Sequence, residues 1–270
     1  MKKIVAIILA GLMLLTLAAC GGKDDKGKIG ALEASGMSSV RTEEHWAHLD
    51  MSLSTNNEVI YYSSLSAALM DLESGKIIGL GVDEYVADYI VAHNEKVVAS
   101  KINDSITNFS MMTMDSNQEV YDILNNAIKA MKADGTLDSL IANELKAYIE
   151  SDPEPKDLPH FDGAKTLKVG VTGDLPPMDF VASNGKAAGF NIALLAEIAN
   201  RAQVNIELVQ IETGARAMAL SSGKVDAVFW TKSMKCTVCG SEGAEKVEGA
   251  LVTESYFSDY AAEIKLKSDK

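Results

Sequence analysis

The sequence predicts an α/β fold in which strands alternate with helices and pair mostly in parallel. The clearest indication is residues 165–230, where three β-branched runs are separated by two segments whose apolar residues recur at helical spacing. A second alternation of this kind occupies residues 28–102, and its text LESGKIIGL at 72–80 resembles LSSGKVDAV at 220–228. Such alternation favours parallel sheets flanked by helices, with ligand sites at the carboxyl ends of the strands. Two halves of similar build are therefore expected.

The N-terminus has the pattern of a lipoprotein signal. Two lysines precede an apolar stretch at residues 4–19, which is shorter than the roughly 20 residues that a membrane-spanning helix needs. The text LAAC ending at Cys20 resembles a bacterial lipobox, which implies that residues 1–19 are a cleaved signal peptide and that lipid is attached to the Cys20 thiol. Polar residues 20–27 then form a flexible tether. An uncleaved membrane helix is the alternative.

Residues 28–102 are expected to begin with a strand, a Gly- and Ser-rich turn and a helix. Ser38 and Ser39 lie near the expected N-terminus of that helix, where free backbone N–H groups suit a carboxylate. Asp83 follows a later strand and directly precedes a helix that begins at Glu84. The remaining elements of this part are strands at 59–62 and 77–82 and a helix at 65–73.

Two helices and a linker come next. Apolar residues at helical spacing predict helices at 118–134 and 137–150, joined by an Asp-Gly-Thr turn. Three prolines among acidic residues then mark residues 151–164 as a linker. The chain therefore divides into one part before this linker and another part after it.

The second part starts with residues 165–230. Asn191 is the expected N-cap of its first helix. Met178 and Phe180 stand in the loop after its first strand, where they offer an apolar surface on which a small ligand can rest. Strands are predicted at 167–171, 206–211 and 225–230, and helices at 192–202 and 215–222.

Three stretches resemble extracytoplasmic solute-binding proteins of the amino-acid type, the receptor subunits of ABC importers. They are DLPPMDF at 174–180, GFNIALLAEIA at 189–199 and LSSGKVDAVF at 220–229. The resemblance implies a two-lobed fold of the periplasmic-binding-protein type II kind, in which each lobe is a mostly parallel sheet flanked by helices. It also implies a small polar solute bound between the lobes and a membrane permease as partner.

The order of the parts differs from that of this family. Relatives run from the start of the first lobe through the second lobe to the end of the first lobe. Here a second-lobe segment at 28–112 and the closing helices of the first lobe at 113–150 precede the linker, and a first-lobe segment at 165–270 follows it. We interpret this order as a circular permutation that leaves one covalent hinge strand near residues 100–114. Two partial copies in tandem, or a fragment completed by another chain, are the alternatives.

The resemblance assigns ligand roles to both halves. Relatives hold the ligand's carboxylate on a Gly-Thr-Thr-like turn, whose nearest match here carries Ser38 and Ser39. They also place an acidic residue where Asp83 stands, and it pairs with an ammonium group of the ligand through a charge-assisted hydrogen bond. The alternative is that Asp83 only caps the helix that follows, and the two roles are compatible.

The arginine that grips the ligand's carboxylate in relatives is missing. Their Thr-x-x-Arg motif corresponds to the text TKSMKCTVCGSEGAEK at 231–246, which contains no Arg. Lys232 or Lys235 can supply a point charge and Thr231 a hydroxyl, but neither lysine has the planar fork of Arg. This puts an α-amino-acid ligand in question. Arg216, which begins a predicted helix, is interpreted as a solvated or structural charge.

The cysteines and histidines allow several readings. Cys236 and Cys239 are the two thiols that remain if Cys20 carries lipid, and outside the cytoplasm this favours a small loop disulfide. Redox activity or half of a zinc site are the alternatives for the pair. His45 and His48 share a helix face and are interpreted as an ordinary surface.

Charge and motifs narrow the function classes. The formal net charge of -13 argues against nucleic acid as a partner. No phosphate-binding glycine loop, nucleophile elbow or metal-ligand spacing occurs, so no enzyme, cofactor or metal is expected. The sequence thus predicts a monomeric, lipid-anchored receptor on the extracytoplasmic face of the membrane. A ligand sensor or interaction module on the same fold is the alternative, and an enzyme acting on a small organic acid is a third.

Overall fold

The computed structural model describes residues 27–33, 57–236 and 242–267. Within them it has thirteen strands and six α-helices, with 3-10 turns at Asp115–Asn117, Lys146–Tyr148 and Thr213–Ala215. The strands are β1 Lys28–Leu32, β2 Glu58–Tyr62, β3 Gly79–Asp83, β4 Val97–Met114, β5 Thr166–Val171, β6 Asp174–Leu175, β7 Asp179–Val181, β8 Ala187–Ala188, β9 Asn205–Gln210, β10 Ala227–Cys236, β11 Glu242–Ala244, β12 Ala250–Val252 and β13 Phe257–Leu266. The helices are α1 Leu65–Glu73, α2 Glu84–His93, α3 Gln118–Ala133, α4 Thr136–Glu144, α5 Phe190–Ala202 and α6 Arg216–Ser221.

The main sheet joins two groups of parallel strands. Its order is β2-β1-β3-β13-β4-β10-β5-β9, with β11 paired to β10 and β12 paired to β4. Strands β2, β1 and β3 are parallel and form the N-terminal half-sheet, whereas β10, β5 and β9 are parallel and form the C-terminal half-sheet. The antiparallel strands β13 and β4 lie between them. The α/β fold is therefore confirmed, and pairing is parallel among β2, β1 and β3 and among β10, β5 and β9. Over all described strands, however, seven of the eleven pairs are antiparallel, and the two half-sheets are parts of one continuous sheet.

Two strands connect the half-sheets, where the sequence predicted one. Strand β4 runs from the N-terminal to the C-terminal half-sheet, as expected of the hinge near residues 100–114. Strand β13 runs alongside it in the opposite direction and ends paired with β3. Sequence reasoning missed this role of β13 because nothing in its ten residues distinguishes a connecting strand from any other strand. Its role follows only from its pairing with β3 on one side and β4 on the other.

The helices cover the sheet with their apolar faces. Helix α3 buries Ala127, Ile128 and Met131 of the stripe predicted from apolar spacing, whereas Ile123, the fourth member, is only partly buried. Val120 and Leu124 are buried in addition. It packs against α5 and β4, and α5 in turn packs against β9. A segment from before the linker thus shares one hydrophobic core with segments from after it.

Most predicted elements exist, and their ends differ for local reasons. Helix α1 has the predicted bounds, and β10 is longer than predicted because it pairs with β4 as far as Cys236. Helix α4 ends at Glu144, and a 3-10 turn replaces its predicted last turn. The helix predicted to follow Ser38 and Ser39 lies outside the described residues.

The start of α5 corrects the predicted N-cap. The helix begins at Phe190, so Asn191 is a buried residue of its first turn, and Gly189 takes the cap position with φ of 102°. A side chain at Gly189 is excluded because its Cβ would lie 2.7 Å from the Met178 carbonyl oxygen. The backbone N–H groups of Phe190 and Asn191 donate to the carbonyls of Pro177 and Met178. A preceding loop therefore caps this helix.

In the described part of the chain, no helix combines the length and apolar character that crossing a bilayer requires. The apolar stretch at residues 4–19 lies outside that part.

Candidate functional site

An ion pair between Asp83 and Lys232 joins the two half-sheets. Asp83 ends β3 at its carboxyl end, and Lys232 lies on β10. Lys232 Nζ donates to Asp83 Oδ2 at 2.8 Å, and the two side chains are 21% and 9% exposed. Two residues predicted to bind ligand are thus brought together. The ammonium group of Lys232 therefore pairs with Asp83, where the family resemblance implies an ammonium group of the ligand.

Asp83 does not cap the helix that follows it. It occupies the N-cap position of α2, but its side chain makes no capping hydrogen bond. Instead Asp259, on β13, accepts from the backbone N–H of Tyr85 at 3.0 Å. The Asp83 carboxylate therefore pairs with Lys232 and not with the N-terminus of α2.

Aromatic rings surround the Lys232 ammonium. Its Nζ lies 5.3 Å from the ring centroid of Phe109 and 5.4 Å from that of Trp230, distances at which a cation is attracted to an aromatic face. Phe109 and Trp230 pack edge to face with ring centroids 4.8 Å apart, and the ring of Phe257 stacks on that of Phe109. Among the described residues, the buried Trp230 Nε1 has no hydrogen-bond partner. The site therefore combines a charge pair, an apolar wall and an unused donor.

Asp259 is a buried acid beside this pair. Burial raises the pKa of Asp259 to about 8, and the negative charge of Asp83 acts in the same direction. The backbone N–H groups of Tyr85 and Tyr260, which donate to its carboxyl group, oppose the rise. Near neutral pH the Asp259 carboxyl group is therefore mostly protonated.

Arg216 fixes the strand that carries Lys232. It donates to the carbonyls of Phe229 and Trp230, and its guanidinium forms an ion pair of 2.9 Å with Glu245. Both side chains are almost fully buried, at 2% and 1% exposed. The register of β10 shifts here, and Trp230 has φ of 62°. Arg216 is thus a structural charge that holds this bulge, and a bulge re-aims the residues after it.

A cavity of about 360 Å³ opens where strands of the two half-sheets end. Ser63 and Ser64, after β2, face Thr172 and Asp174, after β5. The Asp174 carboxylate accepts from the backbone N–H of Leu65 across this gap at 3.2 Å. The cavity is also lined by Gln210, Ile211 and Glu212, at the end of β9. Its position agrees with the predicted location of ligand sites at the carboxyl ends of strands.

The other predicted ligand residues lie apart from the ion pair. Met178 is 1% exposed and belongs to the main core, whereas Phe180 is half-buried on β7. Thr231 adjoins Lys232, but successive residues of a strand point to opposite faces. Its buried Oγ1 has no partner among the described residues.

Several predicted sites fall outside the described residues. These are the carboxylate turn with Ser38 and Ser39, the lipidation site Cys20, and Cys239, the expected disulfide partner of Cys236. The disulfide therefore stays a prediction. In the described ranges, no group of three or more His, Cys, Asp or Glu side chains is placed to hold a metal ion.

Sequence reasoning missed the polar lining of the cavity and the pair formed by Arg216 and Glu245. Ser63, Gln210 and Glu212 are ordinary residues at strand ends, and they fit no motif. The available signal was positional, because Ser63 and Glu212 directly follow predicted strands and Gln210 lies near the end of one. Glu245 gave no signal, since its partner lies 29 residues away.

Known families match part of the chain. A model of the bacterial extracellular solute-binding proteins, family 3, matches residues 167–237, which are 71 of the 270 residues. This confirms the resemblance for that segment. A search of curated protein sequences finds no match.

Solved structures also match the chain, with TM-scores below 0.5 for the three described next. The ligand-binding core of GluR0 in complex with L-glutamate is 12% identical, with a TM-score of 0.44 over 92% of this chain and 87% of that chain. The ligand-binding component of an ABC-type import system from Staphylococcus aureus, with zinc bound, is 9% identical, with a TM-score of 0.43 over 87% of this chain and 64% of that chain. Domain 1 of TmArgBP, a point mutant in its arginine-bound form, is 35% identical over 23% of this chain and 49% of that chain, with a TM-score of 0.23. The family likeness therefore rests on residues 167–237, the segment that leads from β5 to the strand carrying Lys232.

Proposed function

We propose that this chain is an extracytoplasmic receptor that binds a small polar solute between its half-sheets and presents it to a membrane permease of the ABC importer type. The family match over residues 167–237 supports the general class. The observation that carries the proposal is the ion pair between Asp83 and Lys232, because it places opposite charges from the two halves 2.8 Å apart at the carboxyl end of a strand.

The ion pair suits a zwitterionic solute. An ammonium group of the solute replaces Lys232 on Asp83, and the released Lys232 then holds a carboxylate of the solute. Each exchange substitutes one charge-assisted hydrogen bond for another, so the protein is not left with an unpaired buried charge. Lys232 thereby takes the place of the arginine that the sequence lacks. An amino acid or a related solute fits this arrangement.

Thermal unfolding of the full-length chain against amino acids, amines, small peptides and organic acids tests the proposal. A solute at 100 times its dissociation constant should stabilise the folded state by about 2.7 kcal/mol. Asp83→Asn should abolish the shift of the unfolding midpoint, and Lys232→Met should weaken it for solutes that carry a carboxylate. Lys235→Met is the matched control, since Lys235 lies on the same strand in an exposed pair with Glu242.

A chain that responds to no solute in the panel would contradict receptor function. Such a result favours a sensor or interaction module, for which the ion pair itself is the supporting observation. Because Lys232 already neutralises Asp83, this protein needs no solute to satisfy its buried carboxylate.

The proposed receptor is attached to the outer face of the cell membrane through lipid on Cys20. The lipobox-like text and the short apolar stretch at residues 4–19 support the anchor. The intact mass of protein isolated from membranes should correspond to a chain that starts at an acylated Cys20. A mass that includes residues 1–19 would rule the anchor out.

The proposed chain order is a circular permutation of the family's order. Ile29, at the start of β1, pairs with Gly79, and Ile264, near the end of β13, pairs with Leu80 on the other side of β3. Two strand spacings separate these chain segments, or about 10 Å. A short link between residues 267 and 28, with new ends opened in the linker at 151–164, should therefore give a folded protein of unchanged solute affinity. Loss of folding would favour tandem partial copies.

A further inference from the structure

The cavity at the ends of β2, β5 and β9 is lined by acidic and polar side chains. Asp174 and Glu212 contribute carboxylates, and Ser63 and Thr172 contribute hydroxyls. Among the described residues, none that lines it is a Lys, Arg or His. In the described part of the chain, Glu212 forms no ion pair, and its side chain makes no capping bond at the 3-10 turn that it precedes. The lining thus offers hydrogen-bond acceptors and negative charge without a counter-charge.

In the described part of the chain, hydrogen bonds between the lining residues occupy donor groups, and some acceptor oxygens remain without a donor. The Gln210 side chain donates its amide N–H to the Thr172 carbonyl at 3.1 Å, while among the described residues nothing donates to its amide oxygen. One oxygen of Asp174 accepts from the backbone N–H of Leu65, and the backbone N–H groups of Ser66 and of Asp174 itself also bond to this carboxylate. Ser64 Oγ accepts from the backbone N–H of Ala67.

Thr172 adds an independent indication of a ligand. Its side chain is 6% exposed, and within the described ranges its Oγ1 has no hydrogen-bond partner. A buried hydroxyl without a partner destabilises the folded state, so a ligand that bonds to it recovers that cost. Thr172 also lines the cavity of about 360 Å³, a volume within the range of small-molecule sites.

We propose that this acceptor-lined cavity binds a small protonated primary amine that has no carboxylate. The three N–H donors of an ammonium group match the carboxylates of Asp174 and Glu212 and the hydroxyl of Thr172. A carboxylate on the ligand finds no cation here and meets two negative charges. The inference rests on the proposed receptor function and names a different position and ligand class from the pair of Asp83 and Lys232. At that pair a zwitterion is favoured, because Lys232 is present to hold its carboxylate.

Ligand pairs that differ only by a carboxylate separate the two positions. Calorimetric titration of the full-length chain is done with ethanolamine and serine, cadaverine and lysine, and agmatine and arginine. We expect at least one amine to bind at least about tenfold more tightly than its amino acid, because the amino acid's carboxylate is unpaired in this cavity. Pentanediol, which matches cadaverine in length without the charge, should not bind.

Two conservative variants locate the amine. Glu212→Gln should weaken its binding about tenfold or more, since a charge-assisted hydrogen bond is lost, and Thr172→Val should weaken it about fivefold. The matched controls are Glu207→Gln, which changes an exposed residue of β9, the strand before Glu212, and Thr113→Val, which changes another buried threonine whose hydroxyl has no partner in the described part. Both controls should bind the amine as the original chain does.

Two results overturn the cavity as the amine site. In the first, no amine binds. In the second, the amino acids bind more tightly than the amines, and their binding is lost in Asp83→Asn but kept in Glu212→Gln. The second result leaves the proposed receptor function standing and moves its ligand to the ion pair, so the two proposals fail separately.

Discussion

Arg216→Met should lower the free energy of unfolding by about 3–5 kcal/mol. The substitution leaves the Glu245 side chain, which is 1% exposed, without its counter-charge in the interior. It also removes the donors that reach the carbonyls of Thr213, Phe229 and Trp230. Urea denaturation followed by far-ultraviolet circular dichroism measures the loss. Because the bulge in β10 then lacks its support, the fluorescence of Trp230 should change in the folded protein as well.

Arg201→Met is the matched control for this prediction. Arg201 also forms ion pairs, with Asp134 and Glu197, but its side chain is 25% exposed and lies on the surface of α5. Surface ion pairs typically contribute no more than about 1 kcal/mol, so this variant should lose much less stability. Equal losses for the two variants would contradict the structural role assigned to Arg216.

The protein should become less stable as the pH rises from 5 to 7, and Asp259 should account for much of the change. Burial raises the pKa of Asp259 to about 8, whereas an unfolded Asp has a pKa of about 3.9. Between these values the folded state holds a proton that the unfolded state has lost. Its contribution to stability is therefore complete below pH 4 and is lost as the pH rises towards 8. One such proton corresponds to about 1.4 kcal/mol per pH unit, or about 2.7 kcal/mol over this interval.

Asp259→Asn should flatten this dependence. The amide is neutral at every pH in the interval, so only the remaining acids contribute to the slope. Asp179, whose pKa burial raises to about 6, contributes with the same sign in both proteins. Asp162→Asn, a change of an exposed acid, is the control and should leave the slope as it is. The measurement is the urea midpoint at half-unit steps of pH, and equal slopes for the original and Asp259→Asn proteins would contradict the assignment.

Local patterns were enough to predict most of the secondary structure. Helices α1 and α3 follow from apolar residues at helical spacing, and β5 and β9 follow from β-branched runs beside turn residues. These elements depend on neighbours within a few positions. The start of α5 was mispredicted because its cap is formed by backbone carbonyls of Pro177 and Met178, which no side-chain signal at Asn191 can reveal. The same contact buries Met178, which its loop sequence had placed at a ligand surface.

The contacts within the candidate site lay beyond sequence reasoning. Asp83 and Lys232 were each identified from their positions after a strand or within the family-like text. Their pairing depends on β13 and β4 lying between β3 and β10, and that order is set by strand pairs more than 100 residues apart in the chain. The cavity residues Ser63 and Glu212 meet for the same reason. Asp83 and Lys232 could therefore be proposed from the sequence, whereas the distance between them is set by the strand order of the sheet.

The 18-residue strand β4 has a consequence for how this protein loses its structure. One side of β4 is bonded first to β13 and then to β12, and the other side is bonded to β10. If either half unfolded alone, β4 would lose its hydrogen bonds on one side, and the half that stayed folded would expose a long sheet edge. Melting should therefore be cooperative across the whole sheet, with one calorimetric transition and uniformly slow amide exchange along β4. The two halves of this protein should therefore behave as a single folding unit.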